Sequence, residues 1–133
     1  MNEELRHALI KFKDALNRLR EGADQARDEL DKDGVIQRFE FTFELMWKAL
    51  KVHLETEGIQ CKTPKECLRS AFRTGLMEDE ETFLNMLEDR NRTSHIYSKA
   101  ESEKIFHNIK TIYLPSLAKL SAKLEKAFSS NER

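Results

Sequence analysis

Residues that stop helices are scarce in this sequence: four glycines and two prolines among 133 residues. Glycine and proline make the tight turns and helix ends of most folds. A chain so poor in them, and rich in Glu, Lys and Leu, lacks the turns of a many-stranded β fold and is driven toward long helices. The length fits one domain. The hydrophobic content of 39% supplies one core and argues against disorder.

Charged residues make up 35% of the chain, but 23 Lys+Arg face 24 Asp+Glu. General nucleic-acid binders are strongly basic, because neutralising phosphates supplies most of their affinity. A net charge of −1 excludes a basic coat and leaves room only for a small basic site. The longest uncharged run, Thr111 to Ala118, is far shorter than the ~20 residues of a membrane helix. The N-terminus carries Glu3, Glu4, Arg6 and Lys11 instead of an apolar signal core. These features predict a cytoplasmic protein without a membrane span. Cys61 and Cys67 then read as free thiols in a reducing compartment. They lack the spacing and further ligands of a metal site, so neither metal nor cofactor is expected.

Five helical stretches are expected. The first runs from about Asn2 to Leu30, with Leu5, Leu9, Phe12, Leu16, Leu19, Ala23, Ala26 and Leu30 on one face. Gly22 weakens it locally, and Asp31-Lys32-Asp33-Gly34 is the expected turn. The second, Val35 to Glu57, carries two apolar stripes. One holds Ile36, Phe39, Phe43, Met46, Trp47, Leu50 and Leu54; the other holds Phe41, Leu45, Ala49 and Val52. Such a helix is central, or it faces a partner as well as its own core. Gly58 fits its C-terminal cap. Thr63-Pro64-Lys65-Glu66 reads as a capping box opening a short third helix that Gly75 ends. A fourth begins in the acidic run Glu78 to Glu81, which suits a helix N-terminus. Ser98 to Glu101 is a second capping box and opens the last helix, through about Phe128. Pro115 predicts a kink or break near Ile112. The expected architecture is all-α: an up-and-down antiparallel four-helix bundle with one additional short helix. It forms a single domain over residues 1–128, with a disordered tail at 129–133.

The segment that looks chemical is Arg90-Asn91-Arg92-Thr93-Ser94-His95-Ile96-Tyr97. As a helix end, its cations complement the dipole and bind free carbonyls. His7, His53 and His107, in ordinary helical positions, read as surface or half-buried residues. At ~100° per residue Asn91 and His95 share a face, whereas Arg90 and His95 diverge by roughly 140°. They converge if the helix loosens before His95, or across a two-fold axis, where Arg90 of one copy meets His95 of the other. Either arrangement makes a small cationic pocket suited to phosphate. Arg, Asn and His without a metal could also cleave RNA by 2′-hydroxyl attack. One His takes the proton, a second group protonates the leaving oxygen, and Arg stabilises the phosphorane.

Arg90-Asn91-x-x-x-His95-x-Tyr97 resembles the R-x4-6-H motif of the HEPN superfamily, in the R-x4-H-x-Y form of HepT-like toxins. Phe39-Glu40-Phe41-Thr42-Phe43-Glu44-Leu45-Met46-Trp47-Lys48-Ala49-Leu50-Lys51 resembles the second-helix signature of nucleotidyltransferase substrate-binding proteins. Thr63-Pro64 through Ala71-Phe72 to Gly75-Leu76 is similar to that family too. The resemblance covers about residues 5 to 128. It implies a helical bundle like the C-terminal domain of kanamycin nucleotidyltransferase, a homodimer with a cleft between subunits, and a minimal nucleotidyltransferase as partner. The function it implies is a substrate-binding subunit with a nucleotide or phosphate cleft at Arg90 to His95. In the HepT-like branch it is instead a metal-independent endoribonuclease toxin acting on RNA. There Arg90 and His95 form the catalytic pair, Asn91 is the polar residue after Arg, and Tyr97 is the tyrosine that the partner AMPylates.

Around that motif, Phe39, Phe43 and Trp47 read as core or interface residues rather than base-stacking platforms. Glu40 and Glu44 share a face and either hold Arg90 or Arg92 or are solvated charges. Lys48 continues that face as a further phosphate contact. Glu40, Glu44, Trp47, Lys48 and Arg92 are thus the candidates for lining or supporting the cleft. The charge balance hides a local division: six acidic residues lie between Glu78 and Asp89, directly before Arg90, and none between Arg90 and Tyr97.

Overall fold

The computed structural model describes residues 2–95 and 98–131. The elements are α1 (Glu3–Gln25), α2 (Glu29–Thr56), α3 (Pro64–Arg73), α4 (Glu80–Arg92), a 3-10 turn (Thr93–His95), α5 (Lys99–Asn108), a π-helical turn (Ile109–Tyr113) and α6 (Leu114–Asn131). Among the described residues there is no strand. α5, the π turn and α6 follow one another without a break, so the bundle has four long helical rods and the short α3. No helix among the described residues is long and apolar enough to cross a membrane.

The first turn lies earlier than the sequence suggests. α1 ends at Gln25 and Asp28 caps α2, its Oδ1 accepting from the Asp31 amide at 2.8 Å. The Asp31 carboxylate in turn accepts from the Arg27 amide at 3.0 Å. The first bond satisfies an amide that a helix start leaves unpaired, and the second ties the residue before the cap to the same turn. Asp31 to Gly34 therefore form the first turns of α2, and Leu30 is 79% exposed instead of lying on the core face.

α2 is the central helix, packed against α1, α3, α4 and α5. Its first stripe is buried at Ile36, Phe39, Phe43, Met46, Leu50 and Leu54, with Trp47 half-buried. The second stripe is only partly covered: Ala49 is buried, Leu45 and Val52 are half-buried, and Phe41 is exposed. His53, expected at the surface or half-buried, lies deeper than that. It is buried, and its Nε2 lies 2.9 Å from Glu57 Oε1.

α2 and α3 both end in a left-handed glycine, Gly58 (φ 80°) and Gly75 (φ 82°). The amides of Ile59 and Leu76 reach back to the carbonyls of Leu54 and Ala71, the Schellman pattern. Thr63 caps α3 as expected. Cys61 and Cys67 are joined as a disulfide, not free thiols. The Thr63 cap folds the loop onto the first turn of α3 and brings the two Cα atoms to 5.2 Å, within bridging range. The free-thiol reading rested on compartment and had no access to that geometry. The kink expected near Ile112 is the π turn, in which the Leu114 amide bonds the Ile109 carbonyl. α6 continues to Asn131, past the expected helix end at Phe128.

Candidate functional site

α4 carries Phe83 and Met86 into the core, and its last turn delivers Arg90 to the rim facing α2. Arg90 Nη2 donates to Glu44 Oε2 at 3.0 Å, and Nη1 donates to Asn91 Oδ1 at 3.2 Å. The guanidinium lies 6.0 Å from the centre of the Phe43 ring. Glu44 is the hub of this cluster. Besides Arg90 it accepts from Trp47 Nε1 at 3.1 Å and pairs with Lys48 Nζ at 3.4 Å. Burial on its own raises the Glu44 pKa. The bonds from Trp47 and Lys48 and the charges of Lys48 and Arg90 outweigh it, and the carboxyl sits below its ordinary value. Glu44 is therefore ionised at neutral pH.

Glu40, Glu44, Arg90 and Asn91 line one open groove of about 530 Å³, together with Gln37, Phe41, Thr93 and Ser94. A second groove of about 530 Å³ continues from it past Glu29, Asp33, Ile36, Ser98, Lys99 and Ser102, sharing Gln37, Glu40 and Thr93. The structure thus brings together Arg90, Asn91, Glu40 and Glu44, with Trp47 and Lys48 behind Glu44. Arg92 and His95 are exposed and lie outside the groove wall. Tyr97 lies outside the described residues. The loosening before His95 that would bring it round to Arg90 is not found: the chain leaves α-helical geometry after Arg92 by tightening into a 3-10 turn that ends on His95.

Within one chain the groove is not a cationic pocket. Two carboxylates and one guanidinium line its Arg90 end, and Arg90 is already paired. Of the two readings of Glu40 and Glu44, Glu44 takes the first and holds Arg90, and both carboxylates stand on the groove wall.

Sequence reasoning missed Asp89. It is buried on the core side of α4, and its Oδ2 accepts from the Tyr113 hydroxyl at 2.5 Å and from Asn108 Nδ2 at 3.3 Å. Burial, first, and the neighbouring Asp89 carboxylate push the Tyr113 phenol far above the ordinary tyrosine range. A signal was present: Asp89 follows Phe83 and Met86 at three-residue steps, on the apolar stripe.

Fold and groove define a helical-bundle domain with a ligand-sized polar groove at the end of one helix. The chain belongs to the nucleotidyltransferase substrate binding protein like family, whose profile matches residues 3–126. It is 33% identical over 88 residues to the probable ribonuclease HepT of Haemophilus influenzae. That match covers 62% of this chain and 60% of the relative, so the chain spans less than two-thirds of that relative's length. Two solved structures share the fold. A Thermus thermophilus protein superposes with a TM-score of 0.74 at 35% identity, covering 87% of this chain and 97% of that one. A Haemophilus influenzae protein, described as having the fold of a substrate binding domain of a nucleotidyltransferase, superposes at 0.62 and 26% identity, covering 91% and 96%.

Proposed function

We propose that this chain is the substrate-binding subunit of a two-component cytoplasmic nucleotidyltransferase, and that a nucleotide or other phosphate-bearing substrate docks at Arg90 and Asn91. Membership of the family supports the partner. The observation that carries the site is the Arg90 guanidinium fixed on a groove wall by Glu44 and Asn91. An incoming phosphate competes with Glu44 for the guanidinium fork. A second copy, packed across a two-fold axis, brings its own Arg90–His95 segment, with Arg92 and His95, to the same cleft. Co-expression with a minimal nucleotidyltransferase of the same genome should give a complex, and light scattering of this chain alone should give a dimer. Calorimetry with AMP should show binding that Arg90→Ala removes. A monomer that forms no such complex, and whose AMP affinity is unchanged by Arg90→Ala, sinks the proposal.

A second reading, a metal-independent endoribonuclease toxin, draws on the Arg90–His95 spacing, on the exposed His95 and on the ribonuclease-named relative. His95 of one copy takes the 2′-hydroxyl proton, Arg90 stabilises the phosphorane, and His95 of the second copy protonates the leaving oxygen. Expression should then arrest growth and degrade RNA, and His95→Ala should abolish both. Incubation with the partner and ATP should add AMP mass at Tyr97, and Tyr97→Phe should lose it. Equal behaviour of wild type and His95→Ala rules the ribonuclease out.

A further inference from the structure

Beneath the Arg90 groove lies a buried polar cluster with no part in the phosphate contacts proposed for Arg90 and Asn91. Asp89 (7% exposed) and Tyr113 (3% exposed) meet in the core, with Asn108 as a second donor to the carboxylate. The Tyr113 ring stacks on Phe39 with centroids 5.6 Å apart. Phe39 in turn neighbours Phe43, the ring nearest the Arg90 guanidinium. A closed path therefore runs from Arg90 through Phe43, Phe39, Tyr113 and Asp89, and back to Arg90 along the backbone.

A carboxylate in a core is expensive unless it is hydrogen-bonded, and an apolar side chain of similar size would often be more stable there. Its place in the chain indicates what it does. α4 stops at Arg92, so the turn that carries Arg90 has no further α-helical turn to brace it. Glu44 holds the guanidinium head, not the helix turn beneath it. Asp89 is on that turn and points the other way, into the bundle. The π turn completes the fit. Its extra residue rotates the downstream helix by about 100° relative to an unbroken α-helix, and Tyr113 closes that widened turn facing Asp89.

We propose that Asp89 and Tyr113 are positioning residues for Arg90: a buried clasp that pins the last turn of α4 to the π turn and so sets where the guanidinium stands in the groove. The inference rests on the reading of Arg90 as the phosphate-binding group. Tyr113→Phe keeps the ring and its stacking and deletes only the hydroxyl. In the full chain it should speed amide hydrogen exchange in residues 89–95 by about fivefold, leave α1 and α3 unchanged, and weaken AMP binding by about fivefold. It should also shift the Arg90 Nε–H resonance. Asp89→Asn keeps an acceptor oxygen and should remain close to wild type in all three readouts, whereas Asp89→Ala should behave like Tyr113→Phe or worse. Ser116→Ala, which removes the bond to Asp79 at the opposite end of α4, should leave residues 89–95 and AMP binding untouched.

Unchanged exchange at 89–95 in Tyr113→Phe overturns the clasp. So does a rise spread evenly over every helix, or indistinguishable Asn and Ala variants at 89. If Asp89→Ala does not fold, Tyr113→Phe and Asp89→Asn decide. If Arg90→Ala leaves AMP affinity unchanged, the phosphate reading fails, and the exchange pattern with the Arg90 resonance still decides the clasp.

Discussion

Between α2 and α3 the chain is turned by groups that lie within the turn or on the first turn of α3; at the end of α4, besides the local bond from the Thr93 hydroxyl to the Arg90 carbonyl, the side chains of Asp89 and Arg90 are held by groups far away in sequence. In the first junction Gly58 ends α2, Ile59 reaches back to Leu54, Thr63 caps α3, and Cys61 bridges to Cys67. In the second, Arg90 is held by Glu44, 46 positions earlier, and Asp89 by Asn108 and Tyr113, 19 and 24 positions later. A junction of the first kind carries its own hydrogen bonds and cross-link and depends less on what packs nearby. A junction of the second kind transmits any change in the packing of α2 or the π turn to the side chains it presents. The candidate site sits on the second kind.

The largest perturbation that separates the two is Phe39→Ala. Phe39 is fully buried and carries the Tyr113 ring, so its truncation should cost about 3–5 kcal/mol in urea unfolding. Part of that cost is the loss of the clasp. Combined with Tyr113→Phe, the double variant should lose less than the sum of the two single losses. Strict additivity would mean that the stack and the Asp89 bond act separately, and the distant-contact account of the second junction would break.

Reduction of Cys61–Cys67 probes the first junction. Its short loop, a separation of six residues, predicts a loss of about 2 kcal/mol on reduction. Exchange should rise around residues 59–67 and stay unchanged at 89–95. A rise at both places would show that the junctions are coupled.

The same contrast decides what was legible in the sequence. The glycine ends of α2 and α3, the Thr63 and Ser98 caps and the break before Pro115 were readable because each signal lies within a few residues of its effect. The apolar stripes of α2 identified the central helix for the same reason. The first turn was misplaced because the Asp28 cap and the Asp31 carboxylate, which accepts from the Arg27 amide, start the helix before the more obvious Asp33-Gly34 pair. At the site, the Arg90 segment was readable as a motif, and Glu44 as one of two possible partners. Asp89 was overlooked despite its place on the apolar stripe, since an aspartate among acidic neighbours reads as solvated until a facing tyrosine is known. The disulfide was hidden because loop geometry decides it.

Glu44 gives a smaller, pH-dependent test of the distant contacts. Glu44→Gln removes the charge shared by Arg90 and Lys48 and should cost less than about 1 kcal/mol at neutral pH, since the pairs are partly exposed. The folded-state pKa of Glu44 is lowered from 4.5. The unfolded chain therefore takes up the proton first, and the stabilising increment is complete above that value and lost as pH falls through the lowered folded-state pKa. Urea midpoints of wild type and Glu44→Gln should converge between neutrality and acid. A gap that stays constant would show that Glu44 acts through shape and not charge.

The smallest effect concerns two helical glycines that look alike in sequence. Gly34 lies in the opening turns of α2, where an added Cβ meets nothing within 4 Å. Gly34→Ala should therefore stabilise the protein by about 0.8–1 kcal/mol through helix propensity. Gly22 is different: a Cβ there stands 2.9 Å from Arg38 Nη1, which donates to the Arg18 carbonyl at 2.7 Å. The guanidinium is flexible and can move aside, but it then gives up a hydrogen bond worth about 1 kcal/mol. The propensity gain and that loss nearly cancel, so Gly22→Ala should be close to neutral. In an Arg38→Ala background the clash is gone, and Gly22→Ala should recover the full gain shown by Gly34→Ala. Equal gains for both glycines in the wild-type background would show that the Arg38 bond contributes nothing.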